Sequence, residues 1–490
     1  MFTCLHVHNY RSIGPRPLDL DLAPITVLVG ANGSGKSSIM EALALTAQSA
    51  VEDPGRRDLV LAGERVQIPQ PASVDYRDVF RPIYFKGDLA LPLSVGFGWQ
   101  PRQSFFDSET AKAALSLEVA AGREIPSRAS IGYRWVRRGR YFPEFEHHFT
   151  VAGHPFLDFG FKAEHEGPHG ASLRYSVFSH SSSHQTECSK LNGWDRLLSE
   201  NFPRDFASMV ARPDPKGGKA AGGIADPFDR ADAAFLGQLS AEMSGALKGV
   251  QVLASLRGGP LIHGEVGNRV SAVGRNGENT VRLLASIQAK TNPDLRRLHK
   301  WASRFGLPGI DTAIDGPSVR VVFKDPSNGA ALELGQAATG SQQCLTMATQ
   351  IFLSPEGSTL LIEEPETNLH PGFERLLPEL FCDAVKGGKQ VITSTHSEVL
   401  VAALAEAVRR GRIKASEVAI WHLERGQKAV RAERVLIDER GYLAEWVKSF
   451  AAVEEELFDE WAKGLPEIGD APDSGHARHS RGRKTSTHRK

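Results

Sequence analysis

The sequence of 490 residues predicts an α/β fold, on three observations. Over residues 318–410, short apolar strands alternate with helical segments of about 10–15 residues, which is typical of a parallel sheet with helical crossovers. Near the N-terminus, the apolar run Ile25–Val29 passes through a glycine-rich turn directly into helical text. The composition, 41% hydrophobic and 24% charged, is that of an ordinary globular protein with enough apolar residues for a core.

Composition and charge exclude several classes of protein. The 58 basic residues balance 58 acidic ones, so any contact with nucleic acid would need a local basic patch. No run of about 18 apolar residues predicts a membrane span, and the segment Met1–His8 does not resemble a signal peptide. Four scattered cysteines predict neither a disulfide framework nor a paired zinc site. We therefore expect a cytoplasmic protein without membrane contact.

Alternation and apolar runs predict the elements in chain order. The predicted strands are Phe2–Val7, Leu18–Leu22, Ile25–Val29, one within Arg81–Trp99, Tyr133–Val136, Leu173–Phe178, Ser318–Phe323, Ser358–Ile362 and Lys389–Ser394. The predicted helices are one beginning at Ser37, then Ala231–Leu247, Gln342–Phe352, Phe373–Val385 and Ser397–Arg410.

A glycine-rich segment after the third strand carries the first chemical motif. Residues Gly30–Ser37 match G-x-x-x-x-G-K-[ST] at every fixed position and lie between a strand and a helix. Glycines let backbone N–H groups surround phosphates, and the helix N-terminus adds positive partial charge. Lys36 would reach the β- and γ-phosphates, and the Ser37 hydroxyl would bind Mg²⁺. The sequence therefore predicts a site for ATP and Mg²⁺.

A second motif follows the apolar strand Ser358–Ile362, which ends in two carboxylates. In parallel sheets the carboxyl ends of strands face the ligand crevice. Glu363 would hold Mg²⁺ through water, and Glu364 would activate the attacking water as general base. His396 directly follows the neighbouring predicted strand, where it can contact the γ-phosphate as a sensor.

These motifs resemble the heads of ABC-type AAA ATPases of the RecF, SMC and OLD (overcoming-lysogenization-defect) kind. The opening Asn9–Ile13 and the loop containing Asn32 are similar to their N-terminal motifs. Glu363–Pro371 resembles their Walker B motif and D-loop, and Thr393–Ser397 their switch-histidine loop. Thr339–Gln343 resembles a signature loop without a clean LSGGQ. The segments Leu256–Pro260 and Val273–Asn279 are similar to text preceding that loop in defence ATPases. The resemblance covers roughly residues 1–50 and 250–460.

The resemblance implies a role for each matching residue and two heads that enclose two ATP molecules head to tail. The implied nucleotide-binding residues are Arg11, Gly30, Asn32, Gly33, Ser34, Gly35, Lys36, Ser37 and Ser38. Glu364 and His396 are the implied catalytic residues, and Ser37 and Glu363 the Mg²⁺ ligands. Gly340, Ser341 and Gln342 would contact the partner's nucleotide, with Asn368 and His370 in the D-loop. Gln67, Gln70 and Asp78 remain open as Q-loop residues.

The predicted organisation is an ATPase head interrupted by an insertion. Residues 1–100 form its N-terminal part, 101–250 a compact α+β insertion with a Gly/Pro-rich linker at 212–230, 251–463 its C-terminal part, and 464–490 a disordered basic tail. No sustained heptad occurs in 101–250, so the long arms of SMC proteins are not expected.

Two further segments bear on function. The histidine-rich stretch 147–184 places His180, His184 and Cys188 at i, i+4 and i+8, but its serines favour solvated loop residues over metal ligands. After His396 we expect no TOPRIM nuclease domain, since no DxD motif follows and Val453–Glu460 predicts an acidic amphipathic helix.

The leading hypothesis is therefore an ATPase that acts as sensor or scaffold and controls a separately encoded nuclease or toxin. In this it resembles the ATPase subunits of anti-phage systems of the Septu and PARIS type. The alternative is a RecF-like DNA-repair ATPase that binds DNA without a toxin partner. An ABC transporter motor is disfavoured by the N-terminal motif and the large insertion.

Overall fold

The fold is described from a computed structural model of the full chain. The described residues belong to one compact unit, Met1–Glu445, and are 1–51, 58–61, 64–67, 84–88, 91, 93–101, 131–137, 145–150, 158–166, 172–179, 182–188, 242–243, 245–255, 263–265, 270–287, 293–426 and 429–444. The predicted linker 212–230, the predicted helix Val453–Glu460 and the predicted tail 464–490 lie outside them.

Twenty strands are present in the described part of the chain. They are β1 Phe2–His8, β2 Leu18–Asp21, β3 Ile25–Val29, β4 Asp58–Leu61, β5 Glu64–Gln67, β6 Leu93–Trp99, β7 Ile131–Arg137, β8 Phe145–Thr150, β9 Asp158–Glu166, β10 Ser172–Ser179, β11 Ser182–Cys188, β12 Val250–Leu253, β13 His263–Glu265, β14 Asp311–Asp315, β15 Ser318–Lys324, β16 Ala331–Glu333, β17 Thr359–Glu363, β18 Gln390–Thr395, β19 Val418–Arg425 and β20 Val430–Val435.

The principal helices are α1 Lys36–Val51, α2 Thr280–Ile287, α3 Pro293–Arg304, α4 Thr339–Leu353, α5 Pro371–Glu374, α6 Leu377–Lys386 and α7 Glu398–Arg409. Short 3₁₀ turns occupy Phe85–Gly87, Leu334–Gln336 and Ala415–Glu417. Within the described residues, no helix combines the length and the apolar character needed to cross a bilayer.

A six-stranded sheet, in the order β12-β17-β18-β3-β19-β20, forms the centre of the fold. Its first five strands run parallel, and β20 pairs antiparallel with β19. Every residue of β3 and β18 is buried, which is typical of parallel strands covered on both faces. The predicted α/β class and mixed sheet are confirmed.

A four-stranded antiparallel sheet, β2-β1-β6-β7, adjoins the central sheet. The side chain of Gln390, at the start of β18, joins the two: its Oε1 accepts from the Phe2 N–H at 3.1 Å, and its Nε2 donates to the Phe2 carbonyl at 2.8 Å. The Phe2 ring meets Phe97 edge to face at 5.1 Å. The N-terminal strand is therefore fixed to the strand that precedes His396.

The segment predicted as an insertion contributes to two sheets. Its strand β7 pairs with β6, within the N-terminal sheet, and β8–β11 form a separate antiparallel meander. His184 and Cys188 lie in strand β11, not in the loop that the serines of this stretch favour. The domain boundary at residue 101 remains a prediction.

Two helix predictions need correction. The helix predicted over Phe373–Val385 is two helices, α5 and α6, separated at Arg375 and Leu376. Pro378 occupies the first turn of α6, where its missing N–H and its ring interrupt a continuous helix. Helix α4 begins at Thr339, not at Gln342, so the predicted signature loop forms its first turn.

Candidate nucleotide site

The register of the parallel strands brings the motifs together at one edge of the central sheet. Glu363, the last residue of β17, pairs with Ser394 of β18, and Thr395 pairs with Val29 of β3. The phosphate loop follows β3, and His396 follows β18, so all three segments leave the sheet at its carboxyl edge. This is where a ligand binds in open α/β sheets.

Backbone geometry in the loop depends on glycine at two positions. Gly30 has φ +155°, and a Cβ on it would lie 2.3 Å from the carbonyl oxygen of Leu423 in β19. Gly35 has φ +104°, and a Cβ there would lie 2.9 Å from Val430. Leu423 and Val430, of the hairpin formed by β19 and β20, therefore leave no room for a side chain at these two positions of the loop. Only glycine fits there.

Lys36, the first residue of α1, is only 5% exposed. Its Nζ donates to the carbonyl oxygens of Gly30 at 2.9 Å and Ala31 at 3.0 Å. Burial lowers the pKa of this ammonium group, although the carboxylates of Glu364 and Glu366 oppose the shift. The lysine therefore folds back over its own loop and lies near the carboxylates that follow β17.

Glu363 lies in a cluster of alternating charges. Its Oε1 is 3.9 Å from Arg275 Nη2, which is also 3.9 Å from Glu41 Oε1. Glu41, on α1, is bonded in turn to the guanidinium of Arg11. Burial raises the pKa of Glu363, and Arg275 partly offsets this effect. The cluster joins the N-terminal turn, helix α1 and the end of β17.

Glu364 has a positive φ of +42°, which is uncommon for a residue with a side chain. Its N–H donates to the Ser394 carbonyl at 2.9 Å, and its Oε1 lies 3.7 Å from His396 Nε2. Burial lowers the pKa of His396, and nearby Lys36 lowers it further. The backbone of His396 is held by its N–H, which donates to Glu366 Oε1 at 2.7 Å.

The residues present fit a Mg²⁺–phosphate ligand. Glu363 Oε1 is buried and has no hydrogen-bond partner among the described residues. The same is true of Ser34 Oγ in the loop. Ser37 is exposed at the start of α1. No group of three or more histidine, cysteine or acidic side chains with metal-binding geometry occurs in the described part of the chain. A Mg²⁺ ion held here by Ser37 and Glu363 would therefore need phosphate oxygens and water as its other ligands.

The remaining predicted loop residues have varied surroundings. Asn32 and Gly33 are exposed, whereas Ser38 Oγ is 2.9 Å from Ser12 Oγ, which fixes α1 to the N-terminal turn. Gln67 ends strand β5, and Gln70 and Asp78 lie outside the described residues.

The first turn of α4 packs against the predicted D-loop of the same chain. A Cβ on Gly340 would lie 3.0 Å from the carbonyl oxygen of Asn368. Ser341 and Gln342 are 6% and 9% exposed, so the exposed part of this turn is Thr339 and, in part, Gly340. His370 is the N-cap of α5, where its Nδ1 accepts from the Gly372 N–H at 3.0 Å.

Sequence reasoning missed several residues around this site. Glu41 lies outside every predicted motif, and Arg275 lies in the segment Val273–Asn279 without a role assigned to it; both are distant in sequence from Glu363. Glu366 lies in the predicted Walker B segment without a role assigned to it, yet its carboxylate accepts from the His396 N–H. The signal that could have found Arg275 is its place between Gly274 and Gly277, which favour a tight turn. In the structure both glycines have positive φ, and the carboxylate of Glu278 accepts from the Asn276 N–H at 2.9 Å.

Comparison with known proteins gives matches of three kinds. A relative in Escherichia phage P2, "Old nuclease", is 26% identical over 152 residues, which is 28% of this chain. The match spans only 25% of that relative's length. Among solved structures, the SMC head domain from Thermotoga maritima has a TM-score of 0.37 at 10% identity, covering 89% of this chain and 99% of that one. An SMC head from Pyrococcus furiosus, with an extended coiled coil and bound to a ScpA domain, has a TM-score of 0.42 at 11% identity, covering 93% and 99%.

The family match covers most of the chain. Residues 25–402, from the start of β3 into helix α7, match the family described as "AAA domain, putative AbiEii toxin, Type IV TA system". This range contains the phosphate loop, the carboxylates after β17 and the histidine after β18. The chain therefore belongs to this AAA-domain family.

Proposed function

We propose that the chain binds ATP with Mg²⁺ at the carboxyl edge of the central sheet and hydrolyses it. The observation that carries this proposal is the register of β3, β17 and β18, which places the phosphate loop, Glu363–Glu364 and His396 at one edge. Membership of an AAA-domain family supports the same activity.

Each residue has a distinct task in this proposal. Lys36 would exchange its bonds to the Gly30 and Ala31 carbonyls for bonds to β- and γ-phosphate oxygens. Bound through Ser37 and, by way of water, Glu363, Mg²⁺ would neutralise charge on the phosphates.

The carboxylate of Glu364 would orient a water molecule and accept its proton. His396, kept neutral by burial and by Lys36, would donate a hydrogen bond to the γ-phosphate.

We further propose that two copies of the chain enclose the nucleotides head to tail. Thr339 and Gly340 form the accessible start of α4, a helix of 15 residues whose N-terminus would favour a phosphate of the partner. Ser341 and Gln342 are both buried in the single chain, so they would support this turn from the interior. The D-loop residues Asn368 and His370 would lie beside the same junction.

In biological terms, we propose a sensor or scaffold subunit of an anti-phage defence complex, acting on a separately encoded nuclease or toxin. The family description names a Type IV TA system, and the relative in phage P2 is named a nuclease. Both support defence over the alternative, a RecF-like DNA-repair ATPase. ATP would set the geometry of the two heads, and that geometry would hold or release the effector.

The substitution Glu364→Gln tests hydrolysis and assembly together. It keeps the shape of the side chain but removes the proton acceptor, so ATP should bind, turn over slowly and accumulate the closed dimer. We would measure ATP hydrolysis, and molar mass by light scattering with and without ATP. Glu439→Gln, at an exposed turn, is the matched control and should behave as the wild type. A Glu364→Gln chain that hydrolyses ATP normally contradicts the base, and one that stays monomeric with ATP bound contradicts the dimer.

Co-expression with the genes adjacent to its own tests the biological role. A tag on this chain alone should recover a nuclease or toxin in a stable complex. If the chain is recovered by itself, and its ATPase responds to DNA ends or gaps, the repair alternative is supported instead.

A further inference from the structure

A cavity of about 460 Å³ lies between the end of α3, the α5–α6 junction and the second half of α7. Its volume is within the range of small-ligand sites, about 300–1,000 Å³. None of its lining residues belongs to the phosphate loop, to the carboxylates after β17 or to the residues around His396. It is therefore separate from the candidate nucleotide site.

The lining of this cavity is strongly basic. Four guanidinium groups face two carboxylates: Arg304, Arg375, Arg410 and Arg412 against Glu379 and Glu406. The whole chain has a formal net charge of zero, so this excess of positive charge is local. Like charges gathered around one concave surface raise the local potential for an anion.

The carboxylates fix the arginines without neutralising them. Glu379 Oε2 accepts from Arg304 Nη2 at 2.8 Å and lies 3.6 Å from Arg412 Nη1. The Arg304 guanidinium also lies 4.0 Å from the centroid of the Trp301 ring. One acceptor oxygen therefore holds two guanidinium groups close together, and their other N–H donors remain for a ligand. Groups that are already ordered lose less conformational entropy on binding.

The opposite wall has the same design. Glu406 accepts from Arg410 Nε at 2.6 Å and from both Arg409 Nε and Nη2. These hydrogen bonds lower the pKa of Glu406 to about 2, so its charge is present throughout the neutral range. Arg409 and Arg410 also complement the C-terminus of α7, which accounts for their position without a ligand.

No such account exists for Arg375. It follows the last residue of α5, is exposed and lines the cavity. Its side chain makes no hydrogen bond or ion pair with any described residue. It adds a positive charge that the fold leaves unpaired, in a cavity already rich in arginine.

We propose that this cavity, hereafter the arginine cavity, is a second anion site that takes a phosphate-bearing ligand. Two carboxylates already occupy part of the arginine donors, so a further single carboxylate would leave positive charge uncompensated. A phosphate group offers more charge and three acceptor oxygens, and the planar guanidinium fork matches its geometry. The phosphates could belong to a free nucleotide or polyphosphate, or to a nucleic-acid strand.

The position of the cavity gives this site a route to the nucleotide edge. Arg375 directly follows Glu374, whose Oε2 accepts from Ser397 Oγ at 2.6 Å. Ser397 is the N-cap of α7 and the neighbour of His396. The predicted D-loop residue His370 is the N-cap of helix α5. A ligand that moves Arg375 therefore acts on elements that begin at the nucleotide site.

Calorimetric titration with inorganic tripolyphosphate tests the proposal. The Lys36→Ala chain serves as background, because loss of this ammonium group should weaken binding at the phosphate loop. We expect it to retain one binding event, and the further pair Arg375→Ala and Arg412→Ala to weaken that event at least about tenfold. Arg296→Ala, an exposed residue of α3 that does not line the cavity, should leave it unchanged. Arg375→Ala breaks no described contact, and Glu379 keeps its bond to Arg304 in the pair, so the fold should persist.

A short DNA duplex as second probe identifies the source of the phosphates. If a nucleic acid is the ligand, the duplex binds, competes with tripolyphosphate and is weakened by Arg375→Ala. If a free phosphate compound is the ligand, only tripolyphosphate binding responds to that substitution. The proposal is overturned if tripolyphosphate binding is absent from the Lys36→Ala chain, or if the two arginine substitutions leave it unchanged. ATP hydrolysis by Arg375→Ala without added probe should equal that of the wild type, so failure of this site is distinct from failure of the proposed ATPase.

Discussion

Lys36, near the N-terminus, meets Glu363 and His396, at the ends of two neighbouring strands late in the chain, at the carboxyl edge of the central sheet. The first turn of α4, in contrast, is four consecutive residues that carry their arrangement with the helix. At the sheet edge, charged groups are buried against carbonyls and against one another within one chain. At the α4 turn, the accessible groups are the ones proposed to contact the nucleotide of the partner chain. Substitutions that remove phosphate contacts at the edge should therefore weaken nucleotide binding by a single chain. Substitutions at the turn should leave that binding intact and weaken ATP-dependent assembly.

The largest effect should come from the sheet edge, at Lys36→Ala. Removal of the ammonium group should lower ATP hydrolysis by a factor on the order of 10²–10³, because the β- and γ-phosphates lose their main cationic partner. Steady-state hydrolysis and nucleotide binding measure this.

Lys389→Ala is the matched control. Lys389 is also a buried lysine, 8% exposed, whose pKa is lowered by burial, but it precedes β18 at the opposite edge of the sheet. Hydrolysis should be unchanged in this variant. Equal losses in both variants would mean that Lys36 matters for the fold and not for phosphate.

The second effect concerns the α4 turn, where Gly340→Val should interfere with assembly. Added side-chain atoms would clash with Asn368 and Leu369 of the same chain, at a cost of about 1–3 kcal/mol, and the turn would relieve the clash by moving from the position in which it would meet the partner's phosphate. ATP-dependent association should weaken by about ten- to a hundredfold, while ATP binding by the single chain is retained. Sedimentation or light scattering across protein concentrations measures the association.

Gly245→Ala is the control for this substitution, since a Cβ at Gly245 meets nothing within 4 Å. If Gly340→Val abolishes ATP binding by the monomer, the turn belongs to the same chain's site and the contrast between the two regions is wrong.

The third effect is on stability, at Arg275→Ala. Glu41 and Glu363 would both lose their neighbour at 3.9 Å and repel each other. We expect the free energy of unfolding to fall by about 1–2 kcal/mol, less than for a fully buried pair because the three side chains are partly exposed. Urea denaturation measures this.

Arg297→Ala provides the comparison, because its pair with Asp294 is 58% and 37% exposed and should contribute little. If Arg297→Ala lowers the free energy of unfolding as much as Arg275→Ala does, the expected contribution of the Glu363 cluster to stability is contradicted.

The smallest effect is a pH dependence at His396. Its pKa in the folded chain is below the ordinary value of 6.5, so on acidification the unfolded chain binds its proton first. Acidification through about pH 6.5 should therefore cost the wild type more stability than His396→Gln. Denaturation curves at several pH values give this difference, and a difference that moves the other way would contradict a depressed pKa.

The local amino-acid sequence was sufficient to predict the motifs and most of the strands and helices. The order strand, glycine-rich loop and helix at Gly30–Ser37 depends on hydrogen bonds between residues close in sequence. The same holds for the apolar strand that ends at Glu363. Helix boundaries were predicted less well. The helix break at Arg375 results from Pro378, but the apolar periodicity of that segment predicted one continuous helix.

The sequence by itself determined that this chain has an α/β fold with a phosphate loop, paired carboxylates after a buried strand and a histidine after the next one. Only the tertiary structure decided that Leu423 presses on Gly30, that Arg275 stands between Glu41 and Glu363, and that arginines from α3, the α5–α6 junction and α7 surround one cavity. These contacts join residues far apart in the chain, and their partners depend on strand register and helix packing, which local periodicity does not encode.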